Sequence, residues 1–255
     1  MIQEIFSPAV LQAFKDVQRA AECGVTKKIR VDGKAKTIPY PFPSPTDWRD
    51  SWIYFLMLDR FNNPSAPPKA TWNRIYDFRQ GGTFKGVQQQ LSYIASLGAK
   101  AIWLSPVLKN SKPDWRWSYH GYATQHFLAI DERFASDGTS TTAEKELIEL
   151  IEEAHARGLY VILDIVINHA ARVFDYVYDG GVKDVVTDVN LMNAPLGQEP
   201  PIEWLDGSGT AKETWKDTIP STDVLSSDDA VWPKDLQRTT FFRRRGNKLS
   251  DAAAP

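Results

Sequence analysis

An α/β fold with parallel strands is predicted by three observations. Continuous apolar runs at residues 52–58, 101–104 and 159–167 alternate with two stretches whose apolar residues recur at helical spacing. The helix-to-strand links, Gly98-Ala99-Lys100 and Arg157-Gly158, are short, while the strand-to-helix links, residues 59–83, 105–140 and everything after 168, are long. All elaboration therefore falls at the carboxyl ends of the strands. A (β/α)8 barrel builds its active face on that side, and an open doubly wound sheet also binds ligands there. No Gly-x-Gly-x-x-Gly follows a strand, so the dinucleotide fingerprint is absent.

Each element follows from local pattern. Leu11, Phe14, Val17 and Ala21 sit at helical spacing near the amino terminus. Residues 28–31 and 34–38 read as a hairpin about Asp32-Gly33, a pair suited to a two-residue turn. Prolines at 39, 41, 43 and 45 then break any helix or ladder and mark a linker. The run at 52–58 reads as a strand covered on both faces. Phe84, Val87, Leu91, Ile94 and Leu97 form one apolar stripe of a helix ending at Gly98. The strand at 101–104 stops at Ser105-Pro106. Thr141 or Thr142 caps a second helix, with Glu144, Glu146 and Glu149 toward its positive end and Leu147, Leu150, Ile151 and Ala154 inward. Residues 159–167 make the third strand. From about 170 to 250 periodicity fades, which predicts an irregular inserted subdomain.

Composition narrows the class. With 42% hydrophobic and 24% charged residues, the chain has the make-up of a soluble globular protein. A formal net charge of -2, with Arg243-Arg244-Arg245 as the one basic run, predicts no nucleic-acid partner. Cys23 is the sole cysteine, which excludes an internal disulfide and a cysteine-rich zinc site. The amino terminus lacks a basic start followed by an apolar run, so a cytoplasmic location is expected. No apolar run approaches the roughly 18 residues of a spanning helix, so no membrane partner is expected. Trp48, Trp72, Trp115, Trp117, Trp204, Trp215 and Trp232 lie in polar surroundings. Such rings either staple loops to the domain or form platforms on which sugars stack, and composition does not choose between them.

Polar residues gather after each strand: Asp59-Arg60-Phe61-Asn62-Asn63, then Tyr119-His120-Gly121-Tyr122, then Asp164, Asn168 and His169. Singly, each has a plain reading as an ion pair, a turn or loop hydrogen bonding. Together, at the carboxyl ends of parallel strands, they converge on one cleft. From about Asp50 to Gly246 the sequence resembles the amino-terminal part of the α-amylase family of glycoside hydrolases. Asp164-Ile165-Val166-Ile167-Asn168-His169 is similar to that family's Asp-x-Val-x-Asn-His signature at the third barrel strand. Tyr119-His120-Gly121-Tyr122, with Asp131 after it, resembles its second-strand loop. Gly81-Gly82-Thr83-Phe84-Lys85-Gly86-Val87 resembles its approach to the first helix, and Asp59-Arg60-Phe61 its first-strand ending.

The resemblance implies a partial (β/α)8 (TIM) barrel. Residues 1–45 would be an appendage and linker, 46–169 the first three βα units, and 170–255 an inserted subdomain with a tail. It implies that Asn168 offers its amide oxygen to a structural calcium, with further ligands among Asp175, Asp179 and Asp184. His169 would hydrogen-bond the sugar at the cleavage subsite, Tyr122 would stack beneath it, Asp164 would support the catalytic groups, and His120 would orient the cleft. Ala123 stands where the family often has Trp, and His126 where many relatives carry Asp or Asn.

Retaining hydrolysis needs two carboxyl groups about 5 to 5.5 Å apart. The family's Gly-x-Arg-x-Asp nucleophile pattern, its acid Glu and its His-Asp pair do not occur between Ala170 and Pro255. The expectation is therefore a hydrolase or transglycosylase of α-glucans and maltooligosaccharides by family. No catalytic residue lies in this chain, which alone is inactive, and the missing barrel half is a partner. The alternatives are a non-catalytic carbohydrate-binding protein from the same family, and an unrelated α/β enzyme with an open sheet.

Overall fold

The computed structural model describes residues 6–68, 78–115, 117–178, 180–183, 194–195 and 197–244. Trp72, Asp179, Asp184, Arg245 and the tail at 251–255 lie outside the described residues. Helix α1 (Pro8–Glu22) starts at Ser7, whose side chain accepts from the Val10 amide, and Pro8 opens the helix where a missing N–H does no harm. Its predicted apolar stripe buries nothing: Leu11, Phe14 and Val17 are exposed. Strands β1 (Thr26–Val31) and β2 (Lys34–Pro39) pair antiparallel about Asp32-Gly33, both at positive φ, as that turn requires.

Strand β3 (Ile53–Leu56) is shorter than its apolar run, because Leu58 already belongs to the single turn of α2 (Leu58–Phe61). The predicted long helix is two, α3 (Phe84–Gln89) and α4 (Leu91–Ser96). Gln90 breaks it by turning its N–H to the Val87 carbonyl, three residues back. Strand β4 (Ala101–Leu104) leads to β5 (Leu108–Asn110) and β6 (Thr124–Ile130), an antiparallel pair in the long second loop. Helix α5 (Ser140–Ala156) is capped by Thr139, one turn earlier than Thr142, because Asp137 accepts from both threonines and fixes the start there.

Strand β7 (Tyr160–Leu163) completes a parallel sheet in the order β3-β4-β7, with Ile53, Ala101 and Tyr160 in register. The third strand stops at Leu163 rather than Ile167. Its partner β4 ends at Leu104, and Ser105-Pro106 has no proline N–H to extend the ladder. Ile165 and Ile167 are left exposed.

Helices α3, α4 and α5 all cover one face of this sheet. Phe84, Val87, Leu91, Ile94 and Leu150 close over Leu56, Ile102 and Leu104, all essentially buried. Each such side chain contributes on the order of 1.5–3 kcal/mol by leaving water. The expectation of cover on both faces is corrected. Among the described residues no layer covers the other face, and Ile53, Phe55 and Trp103 are 41%, 48% and 39% exposed there. Phe55 and Trp103 pack edge to face, 5.2 Å between ring centroids.

The hairpin of β1 and β2 clasps the last turn of α5. Lys27 bonds Glu152 at 2.8 Å, Lys36 donates to the Ala156 carbonyl at 2.8 Å, and Arg157 takes both oxygens of Asp32 at 2.8 and 2.9 Å. Phe42 stacks on His155 at 4.1 Å nearby.

After β7, the expected irregular subdomain is an ordered antiparallel sheet. Strands β8 (Phe174–Tyr178), β9 (Gly181–Lys183), β10 (Ile202–Leu205) and β11 (Ala211–Lys216) stand in the order β11-β10-β8-β9. Trp204, Trp215, Tyr176, Ile202 and Val231 form its core. No described helix is long and apolar enough to cross a membrane.

Candidate functional site

The carboxyl ends of β4 and β7 meet at Tyr122. Its hydroxyl donates to Asp164 Oδ2 at 2.8 Å, and its carbonyl accepts from His169 Nε2 at 3.1 Å. Its own N–H donates to His120 Nδ1 at 2.9 Å, with the two rings 5.5 Å apart. Four of the five sequence-predicted site residues are thus brought together. That gathering joins the second-strand loop to the segment after β7. The fifth, Asn168, is exposed on the same segment.

Backbone chemistry fixes this loop. Gly121 takes φ +86°, and a Cβ there would overlap the Pro106 carbonyl, so the chain passes too close for a side chain. Asn110, fully buried, donates to the Leu108 and Gly121 carbonyls at 2.8 and 2.9 Å and accepts from the Ala123 N–H at 2.9 Å. It therefore pins the backbone on both sides of Tyr122. The N–H of Asn110 in turn donates to Asp131 at 3.0 Å. Asp131 also holds Arg133, whose guanidinium reaches the Trp115 carbonyl at 3.3 Å and the Ser118 hydroxyl at 3.1 Å. Both charges are buried and satisfy each other.

The first-strand ending does more than form a local ion pair. Asp59 is 1% exposed and accepts from the Gln80 and Gly81 N–H groups at 2.8 and 2.9 Å, as well as from Arg60 at 3.1 Å. Arg60 lies over the Tyr119 ring at 4.0 Å and donates to the Phe78 carbonyl. The close approach of α3 to this turn explains its glycine. A Cβ on Gly86 would overlap the Asn62 carbonyl. Sequence reasoning missed Arg60, Asn110 and Arg133 as organisers, since no spacing signals a partner so far along the chain.

An open cleft of about 810 Å³ lies beside the segment after β7, lined by Asp164, Asn168 and His169 together with Phe127, Phe174 and Phe241. Burial, then the Asp164 acceptor, push the Tyr122 hydroxyl above its usual range. Burial, then Arg133, push His120 below the ordinary histidine value, which favours the neutral ring that accepts from Tyr122. His126 stands in β6. It is fully buried, stacks on Trp232 at 5.8 Å, and is pushed down to about 4 by burial and by Lys109.

Asn168 is exposed, and an amide oxygen is among the hard ligands that calcium takes. Arg172 donates to both oxygens of Asp175 at 2.8 Å. Among the described residues no three His, Cys, Asp or Glu side chains cluster as a metal centre.

Residues 37–244 match the family model described as the α-amylase catalytic domain. The chain is 38% identical over 138 residues to the β/α-amylase of Paenibacillus polymyxa, covering 52% of this chain and 11% of that protein. It is 35% identical over 124 residues to α-amylase mde5 of Schizosaccharomyces pombe, covering 48% of this chain and 22% of that protein. Among solved structures, the α-amylase of Geobacillus thermoleovorans complexed with acarbose is 37% identical over 50% of this chain and 25% of its own, with a TM-score of 0.41. The chain thus spans about a tenth to a quarter of the length of these relatives. With the strand-end motifs in order and the match running through all three parallel strands, the chain belongs to the α-amylase family of glycoside hydrolases.

Proposed function

We propose that this chain carries the glucan-positioning part of a retaining hydrolase or transglycosylase acting on α-glucans of the starch and maltooligosaccharide class. The observation that carries this reading is the convergence of Tyr122, Asp164, His169 and His120 at the ends of two parallel strands. The ring of Tyr122 offers a flat apolar face to a sugar, and its bond to Asp164 anchors the tip of the ring at the end of β7. His169 donates from Nε2 to the Tyr122 carbonyl, which leaves Nδ1 as the acceptor for a sugar hydroxyl. His120, neutral and bonded to the Tyr122 N–H, sets the angle of the loop.

None of these groups breaks the glycosidic bond. That step needs a nucleophilic carboxylate and a carboxylic acid, which this family supplies from later strands. In this reading the catalytic pair belongs to a part of the barrel that the chain does not span. That part also covers the apolar face of Ile53, Phe55 and Trp103. Calcium enters this reading as a structural ion at Asn168, with further ligands among Asp175, Asp179 and Asp184.

The test is titration of the purified chain with maltoheptaose, beside a reducing-sugar assay. Saturable binding that Tyr122→Ala abolishes, without turnover, is expected. Absence of binding would remove the glucan reading. Robust turnover would overturn the placing of the catalytic pair elsewhere.

A further inference from the structure

Helix α1 and most of the hairpin lie outside the match to the family model, which begins at residue 37. No residue of this 15-residue helix is buried. Val10, Phe14, Val17 and Ala21 recur at helical spacing along one side, with Leu11 beside them, while Gln12, Lys15, Asp16 and Arg19 take the other. Phe14 is 64% exposed, and Phe6, just before the helix, 79%. A helix of this length is marginal in water without a surface over its apolar side.

The chain after α1 is tied to the body. Gly24 closes the helix at φ +62°, and the Val25 N–H donates to the Ala20 carbonyl at 3.0 Å. The Val25 carbonyl accepts from the Tyr40 N–H at 2.8 Å, just before β1 begins. The hairpin then holds α5 with one face, where Ile29, Val31 and Ile38 pack around Ala156 beside the Lys27 and Lys36 bonds. Strand alternation turns Lys28 and Arg30 to the opposite face, and their cross-strand partners are Thr37 and Ala35 rather than acids. Both are exposed, as is Lys34 beside the turn.

Charge sets the kind of partner. Residues 6–40 hold seven lysines and arginines against three acids, a net +4 in a chain whose total is -2. Within α1 the signs cancel, so the excess sits on the hairpin. A second copy of the chain would bring two such arms together, like charge against like. A nucleic acid would answer the charge and leave Phe6 and Phe14 in water. An anionic bilayer surface answers both, taking apolar side chains at the level of its acyl chains and cationic ones at its headgroups. A helix lying in the plane of a bilayer needs an apolar stripe, not the continuous run of a spanning helix.

We propose that α1 and the outer face of the hairpin form a docking surface for an anionic lipid bilayer. Leu11, Phe14 and Val17 enter the bilayer interface, and Lys28 and Arg30 meet its charged headgroups. The clasp on α5 makes the hairpin the link between that surface and the body of the molecule.

Sedimentation of the full chain with vesicles tests it, using phosphatidylcholine alone and phosphatidylcholine mixed with phosphatidylserine. Binding to the phosphatidylserine vesicles, weakened by added salt and absent on phosphatidylcholine alone, is expected. Phe14→Gln lowers that affinity about tenfold, the scale of one inserted aromatic side chain. Lys28→Gln combined with Arg30→Gln lowers it about tenfold as well and flattens the salt dependence. All three positions are exposed, so thermal melting of the variants matches the parent. No binding to anionic vesicles overturns the proposal and leaves the face to a protein groove. Binding that survives both changes belongs to another surface, such as the open sheet face, and overturns it equally.

Discussion

The hydroxyl of Tyr122 donates to the carboxylate of Asp164 at 2.8 Å, tying the second-strand loop to the end of the third strand. Replacing Tyr122 with Phe keeps the ring and removes the tie. Tyr122→Phe is expected to lower folding stability by about 1 kcal/mol, the usual net worth of one hydrogen bond. It should weaken maltooligosaccharide binding less than Tyr122→Ala does. Urea denaturation and titration together check this: unchanged binding in Tyr122→Phe would contradict a positioning role for the hydroxyl, and equal losses in the two variants would contradict the stacking role of the ring.

His126 predicts an acid-sensitive subdomain contact. Its Nδ1 accepts from the Leu128 N–H at 3.2 Å, and Lys109, Asp228 and Trp232 surround it. The folded-state value of about 4 lies below the ordinary 6.5, so the unfolded chain takes up a proton first as pH falls. Stability from this group is complete above pH 6.5, declines between 6.5 and about 4, and is flat below. The loss is on the order of 3 kcal/mol. His126→Asn should flatten that window in urea midpoints measured from pH 7 to pH 4.

Gly86 gives a steric prediction. Gly86→Ala places a methyl against the Asn62 carbonyl and must push α3 away from the turn after β3. A destabilisation of about 1–3 kcal/mol is expected, in the range of overpacked cores. A melting temperature unchanged from the parent would show that the turn yields freely.

Arg133→Met tests the buried ion pair. It strands the Asp131 carboxylate, which is 0% exposed, and releases the loop at Trp115 and Ser118. A loss of about 3–5 kcal/mol is expected, because an unpaired buried charge is left behind. The paired change to apolar residues at both 131 and 133 should recover only part of it, because the buried Asn110 N–H then loses its acceptor, as read by chemical denaturation.

Calcium gives a ligand-removal test of the reading at Asn168. Chelation should lower the melting temperature of the parent, and added calcium should restore it. Asn168→Ala should reduce that response. A parent whose melting curve ignores chelator and calcium alike would rule out the structural ion.

Much of the parallel sheet is legible in the sequence, because apolar runs and helical spacing report directly on burial. The ends of β3 and β7 are not, since a strand lasts only as long as its ladder partner, and β4 stops before Pro106. Strand β11 reads Ala-Lys-Glu-Thr-Trp-Lys, too polar to announce a buried Trp215, so the subdomain sheet was hidden. Tyr122, Asp164, His169 and His120 could be named because ordered motifs mark strand ends. Arg60, Asn110 and Arg133 could not, because their work depends on contacts between distant segments that leave no local pattern.

The hairpin clasped onto the end of α5 has a practical consequence. Cys23, exposed just after α1 and before β1, is the chain's only cysteine. It belongs to the end of the molecule where the strands begin, while Tyr122, His169 and Trp117 follow the strands' carboxyl ends. A dye or surface linker coupled to this thiol therefore attaches at one defined position. It tethers the molecule from behind and leaves the end that carries Tyr122 and His169 untouched.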